Sequence, residues 1–271
     1  MISISHEKTT LPNGLDVIIH EDHSLPLVAV NLWYHVGSKD EEPGRTGFAH
    51  LFEHVMFEGS KNHNELFFNP LQKAGGSVNG STTSDRTNYY ENLPSEHLEL
   101  ALWLESDRMG FLLEALDQER LDLQRDVVKN ERRQSYENRP YGMAHLLMQP
   151  ILYPSPHPYS WPVIGSQEDL DAASLDDIKA FFRSYYSPSN ASLAIAGDID
   201  PDAVKELVER YFGSIAPGTV PNRVQQMGSS VSGEVSLHLT DKVELPRLYL
   251  AYPGPPAFDG EEAALDVLST V

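Results

Sequence analysis

The sequence contains no cysteine. Disulfides and thiolate metal sites are therefore excluded, and any bound metal must use histidine and carboxylate ligands. Basic residues are scarce: 20 Lys and Arg stand against 40 Asp and Glu, a formal net charge of −20 over 271 residues. That balance argues against nucleic acid or an anionic membrane surface as a partner. It fits a solvated acidic surface or a preference for basic peptides, and composition does not choose between them. No apolar run approaches the ~20 residues of a membrane span. Residues 1–8 lack the long apolar region of a signal peptide. The expectation is a cytoplasmic protein, or a periplasmic one whose signal was removed beforehand.

With 40% hydrophobic residues, the chain can bury a sizeable core. Leu11-Pro-Asn-Gly14 reads as a hairpin turn before a strand at 15–20, and a second strand fits 27–36. Helical periodicity covers 46–58 and 65–73 and stops at Gly75-Gly76. Paired strands follow at 77–83 and 87–93, then helices at 95–109 and 117–136. The proline-dense stretch 150–162 reads as irregular, and helices at 175–185 and 203–212 flank a strand at 191–196. Strands and helices come in separate blocks, so the fold class is α+β, a sheet packed against helices.

Residues 216–233 are rich in Gly, Pro, Ser and Gln and read as a linker. Leu25-Pro26 with Val28 and Val30 is echoed 220 residues later by Leu245-Pro246 with Leu248 and Leu250. The expected division is a domain at 1–222, a linker at 223–233, and the start of a second, homologous domain at 234–271. On this reading the chain is one complete repeat plus the beginning of another, a piece of a longer protein. The second piece is expected to hold a strand at 248–252 and a helix at 261–268.

The helix at 46–58 carries the chemistry. At 100° per residue, Phe48, Leu51, Phe52, Val55 and Met56 form one apolar stripe. His50, Glu53 and His54 cluster on the opposite face. His50 and His54 sit one turn apart, so their imidazoles can converge on one ion. Glu53 lies between them in projection, free to take a proton from metal-bound water. The order His-x-x-Glu-His inverts the commoner zinc motif, and chance supplies roughly 0.04 matches in a chain of this length. Glu131 lies on a 3-4-3-4 seam with Leu121, Gln124 and Val128, the face that enters the core. A carboxylate there requires a buried Arg or Lys partner or a cation. Zinc held by His50, His54 and Glu131, with one position open, accounts for all three. His63, His97, His145, His157 and His238 lack comparable spacing and read as surface or capping residues.

These residues resemble the pitrilysin or insulinase family of inverted-motif zinc peptidases, to which the mitochondrial processing peptidase also belongs. That family's pattern places a Glu about 77 residues after the motif, and here Glu131 follows His54 by 77. Leu11–Gly14, Gly47–His50, Gly75-Gly76, Asn79 and Asp85-x-Thr87-x-Tyr89-Tyr90 extend the likeness over most of the chain.

The resemblance implies a zinc endopeptidase with one Zn2+ per chain, held by His50, His54 and Glu131, and with Glu53 as general base. It implies that a peptide binds as an added strand along 77–82, where Asn79, Gly80 and Ser81 would contact it. It implies a partner, either a second homologous domain that closes over the substrate or a separate subunit, a dimer included. Many active relatives carry a second Glu seven residues before the ligand Glu, and Gln124 stands there instead. It can form hydrogen bonds beside the site but cannot exchange a proton. The rival reading is a non-catalytic subunit that binds peptides.

Overall fold

A computed structural model of the chain describes residues 4–223 and 227–270. Six strands form one mixed sheet in the order β1-β2-β6-β3-β5-β4. They are β1 (Glu7–Thr10), β2 (Asp16–Glu21), β3 (Leu27–Tyr34), β4 (Ser77–Thr82), β5 (Thr87–Pro94) and β6 (Ala191–Gly197). Only β2 and β6 run parallel; every other neighbouring pair is antiparallel. The helices are α1 (Phe48–Val55), α2 (Phe68–Lys73), α3 (Leu98–Ala115), α4 (Gln118–Arg132), α5 (Met143–Leu152), α6 (Gln167–Ala172), α7 (Leu175–Tyr185), α8 (Pro201–Phe212) and α9 (Glu262–Ser269). The architecture is α+β, as the blockwise pattern implies.

Alternation along the strands decides which sheet face the helices cover. In β3, Val28, Val30, Leu32 and Tyr34 are buried, whereas Leu27 and Trp33 are exposed. Helices α1, α3 and α8 pack on the buried face. The apolar stripe of α1 enters the same core, where the Phe52 ring lies 5.0 Å from that of Tyr186 and 5.6 Å from that of Phe182. Local signals start the elements. Gly14, at φ 90°, closes the turn between β1 and β2 by donating to the Leu11 carbonyl. Asp200 caps α8 by accepting from the amides of Asp202 and Ala203, with Pro201 in the first turn. Asp200→Ala is expected to cost about 1 kcal/mol, read as a shift in the denaturant midpoint without a change of slope.

One charged cluster is sealed inside. Arg108 of α3 is fully buried and forms an ion pair with Glu105, also buried. Its guanidinium carbon stands 3.8 Å from the Phe67 ring centroid and 4.2 Å from that of Tyr89. Glu91 of β5 is fully buried nearby, and neither of its carboxylate oxygens accepts a hydrogen bond among the described residues. Burial, reinforced by the Glu105 charge, pushes the Glu91 carboxyl well above the usual range.

Three expectations need correction, and one helix went unread. The stretch 150–162 is not wholly irregular, because α5 runs to Leu152 with Pro150 in its last turn. A proline near a helix end removes only one backbone bond, and Ala144 and Leu146 still anchor the buried face. Helix α6 went unread because six residues are too few to show a period; Ser166 starts it by accepting from Asp169 N. Regular α-helix ends at Arg132 and gives way to a wider π-helical turn over Arg133–Glu137, closed by Asn138 N donating to the Arg133 carbonyl. The strand expected at 248–252 is absent. Leu248, Leu250 and Tyr252 are 72–81% exposed, whereas the matching residues Val28 and Val30 lie in the core. A strand needs a neighbour to satisfy its ladder, and none lies beside this stretch among the described residues.

Helix α9 forms close to its expected bounds. The segment before it touches the rest of the chain mainly through Tyr141. Asp241 accepts from Tyr141 N, Tyr141 donates its hydroxyl proton to the Leu245 carbonyl, and Arg247 covers the Tyr141 ring at 4.1 Å. Of the expected linker at 223–233, residues 224–226 lie outside the described residues, as does Val271 at the end of the expected second piece.

Candidate metal centre

Helix α1 is only two turns long, and its start is held by side chains from elsewhere in the chain. Gly47 takes φ 89° at the N-cap and packs against Gly165, an approach that leaves no room for a Cβ. The buried Glu41 carboxylate accepts from the amides of Gly47 and Ala49 at 2.9 and 2.8 Å. Asp169 accepts from both the amide and the hydroxyl of Thr46. These groups satisfy donors that a helix start leaves open, and they fix the direction in which the helix leaves.

One turn further on, His50 and His54 project together, with ring centroids 4.9 Å apart. Packing of α4 against α1 brings Glu131 to them. Glu131 Oε2 lies 3.3 Å from His54 Nε2 and 3.7 Å from His50 Nε2. One ligand atom from each residue falls within 4.8 Å of the others. A tetrahedral ion with bonds of about 2.1 Å holds its ligand atoms roughly 3.4 Å apart. Two imidazole nitrogens and a carboxylate oxygen at this spacing fit zinc, with a fourth position left over. The side chain of Glu131 is 39% exposed, so α4 carries it at the edge of the core and not inside. The two histidines face it, and no Arg or Lys pairs with it among the described residues.

The electrostatics suit cation binding. Burial, with the nearby His54, pushes the His50 imidazole down to about 4, so at neutral pH it offers a lone pair. The hydrogen bond from His54 holds the Glu131 carboxyl below its ordinary value against the opposing effect of burial. Burial raises the Glu53 carboxyl, opposed chiefly by the Thr82 hydroxyl, which donates to Glu53 Oε2 at 2.6 Å.

The other sequence-nominated residues lie apart from the three converging groups. Gly80 faces α1, and a Cβ placed on it would stand 3.2 Å from Glu53 Cγ. Strand alternation turns Asn79 and Ser81 to the opposite sheet face. Asn79 Oδ1 accepts from Gly80 N at 2.9 Å, and the Ser81 hydroxyl donates to Asn88 Oδ1 at 2.8 Å. Gln124 is buried and donates from Nε2 to Glu58. His157, read as a surface or capping residue, is buried: its Nδ1 accepts from Tyr159 N and its Nε2 lies 2.9 Å from the Met227 carbonyl. Sequence reasoning missed Glu41 and Asp169, whose partners are distant or backbone groups. It also missed Thr82, although period-2 alternation places Thr82 with Gly80 on the α1 side.

Comparison with known proteins bears on the chain as a whole. The profile described as insulinase (peptidase family M16) matches residues 16–151, and that of the peptidase M16 inactive domain matches 172–271. The zinc protease PqqE of Helicobacter pylori is 32% identical over 97% of this chain, which covers 60% of that protein. The crystal structure of a protease from Helicobacter pylori superposes with a TM-score of 0.75 at 33% identity, covering 83% of this chain and 52% of that one. A point mutant of the ferredoxin protease FusC, solved in complex with Arabidopsis ferredoxin, gives a TM-score of 0.74 at 26% identity, covering 83% of this chain and 25% of that one. The chain thus spans between 25% and 60% of the length of these relatives. On the sequence match and the shared fold together, the chain belongs to the insulinase family of peptidases, family M16.

Proposed function

We propose that this chain carries the catalytic half of a zinc endopeptidase, with one zinc held by His50, His54 and Glu131. The observation that carries the reading is the meeting of three ligand atoms within 4.8 Å, with the Glu53 carboxylate on the next face of the same helix. When bound, zinc would supply a Lewis acid that polarises the scissile carbonyl and acidifies the attacking water. Glu53 accepts that water's proton and returns it to the leaving amine. His50, its imidazole pushed down by burial, offers a lone pair at neutral pH, and the lowered Glu131 carboxyl offers an ionised oxygen.

The substrate docks as a strand on the free edge of β4. Thr83 N donates to the Arg86 carbonyl, which makes 83 and 86 a hydrogen-bonded pair. Such pairs alternate along an antiparallel ladder, so Val78, Gly80 and Thr82 turn their amides and carbonyls outward. Main-chain pairing there would hold an extended peptide with little regard for its side chains. Asn79 and Ser81 would meet it from the open sheet face, and Gln124 steadies the end of α1 through Glu58. FusC's complex with ferredoxin supports a protein or peptide ligand. On this reading, residues 1–222 form the catalytic domain, 223–233 the linker, and 234–271 the start of a second domain that completes the clamp.

The test measures zinc content and cleavage of an unstructured basic peptide by this chain and by the whole-length protein. Both should bind one zinc, and His54→Ala should bind none. The chain alone should cleave far more slowly. Equal specific activity would refute the role given to the second domain. Zinc binding with no cleavage by the whole-length protein would favour the peptide-binding subunit instead.

A further inference from the structure

We propose that Thr82 is the positioning residue for Glu53, and that it couples base orientation to the docking of substrate on β4. The inference rests on the reading of Glu53 as the base and of β4 as the docking edge. A glutamate has three side-chain torsions, the last of them broad and soft. Left free on a helix face, its carboxylate would sample many directions. Here one contact restrains it: the Thr82 hydroxyl donates to Oε2 at 2.6 Å, and no other described residue donates to this carboxylate. Oε1 is therefore the oxygen left to meet a proton. The donor is itself stiff, because a β-branched side chain in a strand has a restricted first torsion.

The same residue belongs to the free edge. Thr82 ends β4, and the ladder phase set by the Thr83–Arg86 bond turns its amide and carbonyl outward. A strand laid on that edge pairs with those two groups and steadies the backbone from which the hydroxyl projects. Docking thus tightens the hold on Glu53 when a scissile bond is present. The contact joins two segments 29 residues apart in sequence, so it also ties the edge strand to α1 directly.

The experiment compares Thr82→Val, which keeps the shape and removes the donor, with Thr82→Ser, which keeps the donor, both in the whole-length protein. Thr82→Val should lower kcat by about 10- to 100-fold, the worth of a hydrogen bond to a charged group, with KM and zinc content within ~2-fold of the parent. Thr82→Ser should recover most of the loss. A crystal structure of Thr82→Val should show the Glu53 carboxylate turned away from its present direction. Should the valine variant fail to fold, Thr82→Ala makes the same comparison without filling the space. Unchanged kcat, an equal loss in Thr82→Ser, or a loss confined to KM or zinc would overturn the proposal. Adding Thr82→Val to a Glu53→Gln background separates the two readings. If Glu53→Gln alone stays active, the base assignment fails. If Glu53→Gln is inactive and Thr82→Val lowers its residual rate just as much again, the coupling fails and the base assignment stands.

Discussion

Glu53→Gln in the whole-length protein is expected to keep its zinc and to lose turnover by at least ~100-fold. Glutamine preserves the size of the side chain and can still accept the Thr82 hydroxyl bond. It cannot take a proton, so the variant isolates proton transfer from packing. His54→Ala is the contrasting case. Its Nε2 lies 3.3 Å from Glu131 Oε2 in the converging set, and its loss should remove both metal and activity. Metal analysis beside steady-state kinetics distinguishes the two. If Glu53→Gln strips the metal as fully as His54→Ala, Glu53 is a ligand and the mechanism is wrong.

Arg108→Ala is expected to destabilise the fold by roughly 3–5 kcal/mol, enough to unfold a domain of ordinary stability. The loss is more than one ion pair. Arg108 is the cation beside Glu105 and Glu91, and its removal leaves buried Glu105 without its partner, in a pocket walled by Phe67 and Tyr89. Glu91→Gln should act in the opposite sense at higher pH. Glu91 holds its proton more tightly folded than unfolded, so the native state binds more protons above the ordinary value of 4.5. Stability from this group is therefore complete below that value and declines as pH rises toward the folded pKa. Glu91→Gln should flatten the decline, measured as denaturant midpoints from pH 5 to 8. An unchanged slope would mean that Glu91 is ionised in the fold.

The convergence of the candidate ligands was legible for reasons that do not extend to the whole fold. His50, Glu53 and His54 sit on one short helix, and helical geometry alone places them on one face. Glu131 could be joined to them because its seam with Leu121 and Val128 points toward the core, although the structure leaves it at the core's edge. Strands β2 to β6 were legible from alternation and turn residues. What escaped were contacts closed by tertiary packing. Glu41 serves backbone amides six and eight residues ahead, and Asp169 reaches back across 123 residues to Thr46. No period in the sequence records such pairings. The end of helix α5 escaped because residues 150–152 fall in the proline-dense stretch read as irregular, although Pro150 in the final turn is tolerable. The strand expected at 248–252 has the right alternation, but alternation describes a preference, and hydrogen bonding needs a neighbour.

The outward row of amides and carbonyls on β4 has a consequence for the protein in bulk solution. An open edge accepts any extended chain, including the edge of another copy, and natural sheets usually guard such edges with lysine, proline or a bulge. Ser77–Thr82 contains no lysine and no proline, and it pairs with β5 residue for residue without a bulge. Protection must then come from farther away. A net charge of −20 makes copies repel as they approach, and salt weakens that repulsion, with a screening length of about 8 Å at physiological ionic strength. Colloidal stability should accordingly fall as salt rises or as pH drops toward the isoelectric point near 4.8. Dilute, low-salt buffers keep the edge available, while concentrated ones invite the molecules to pair with each other.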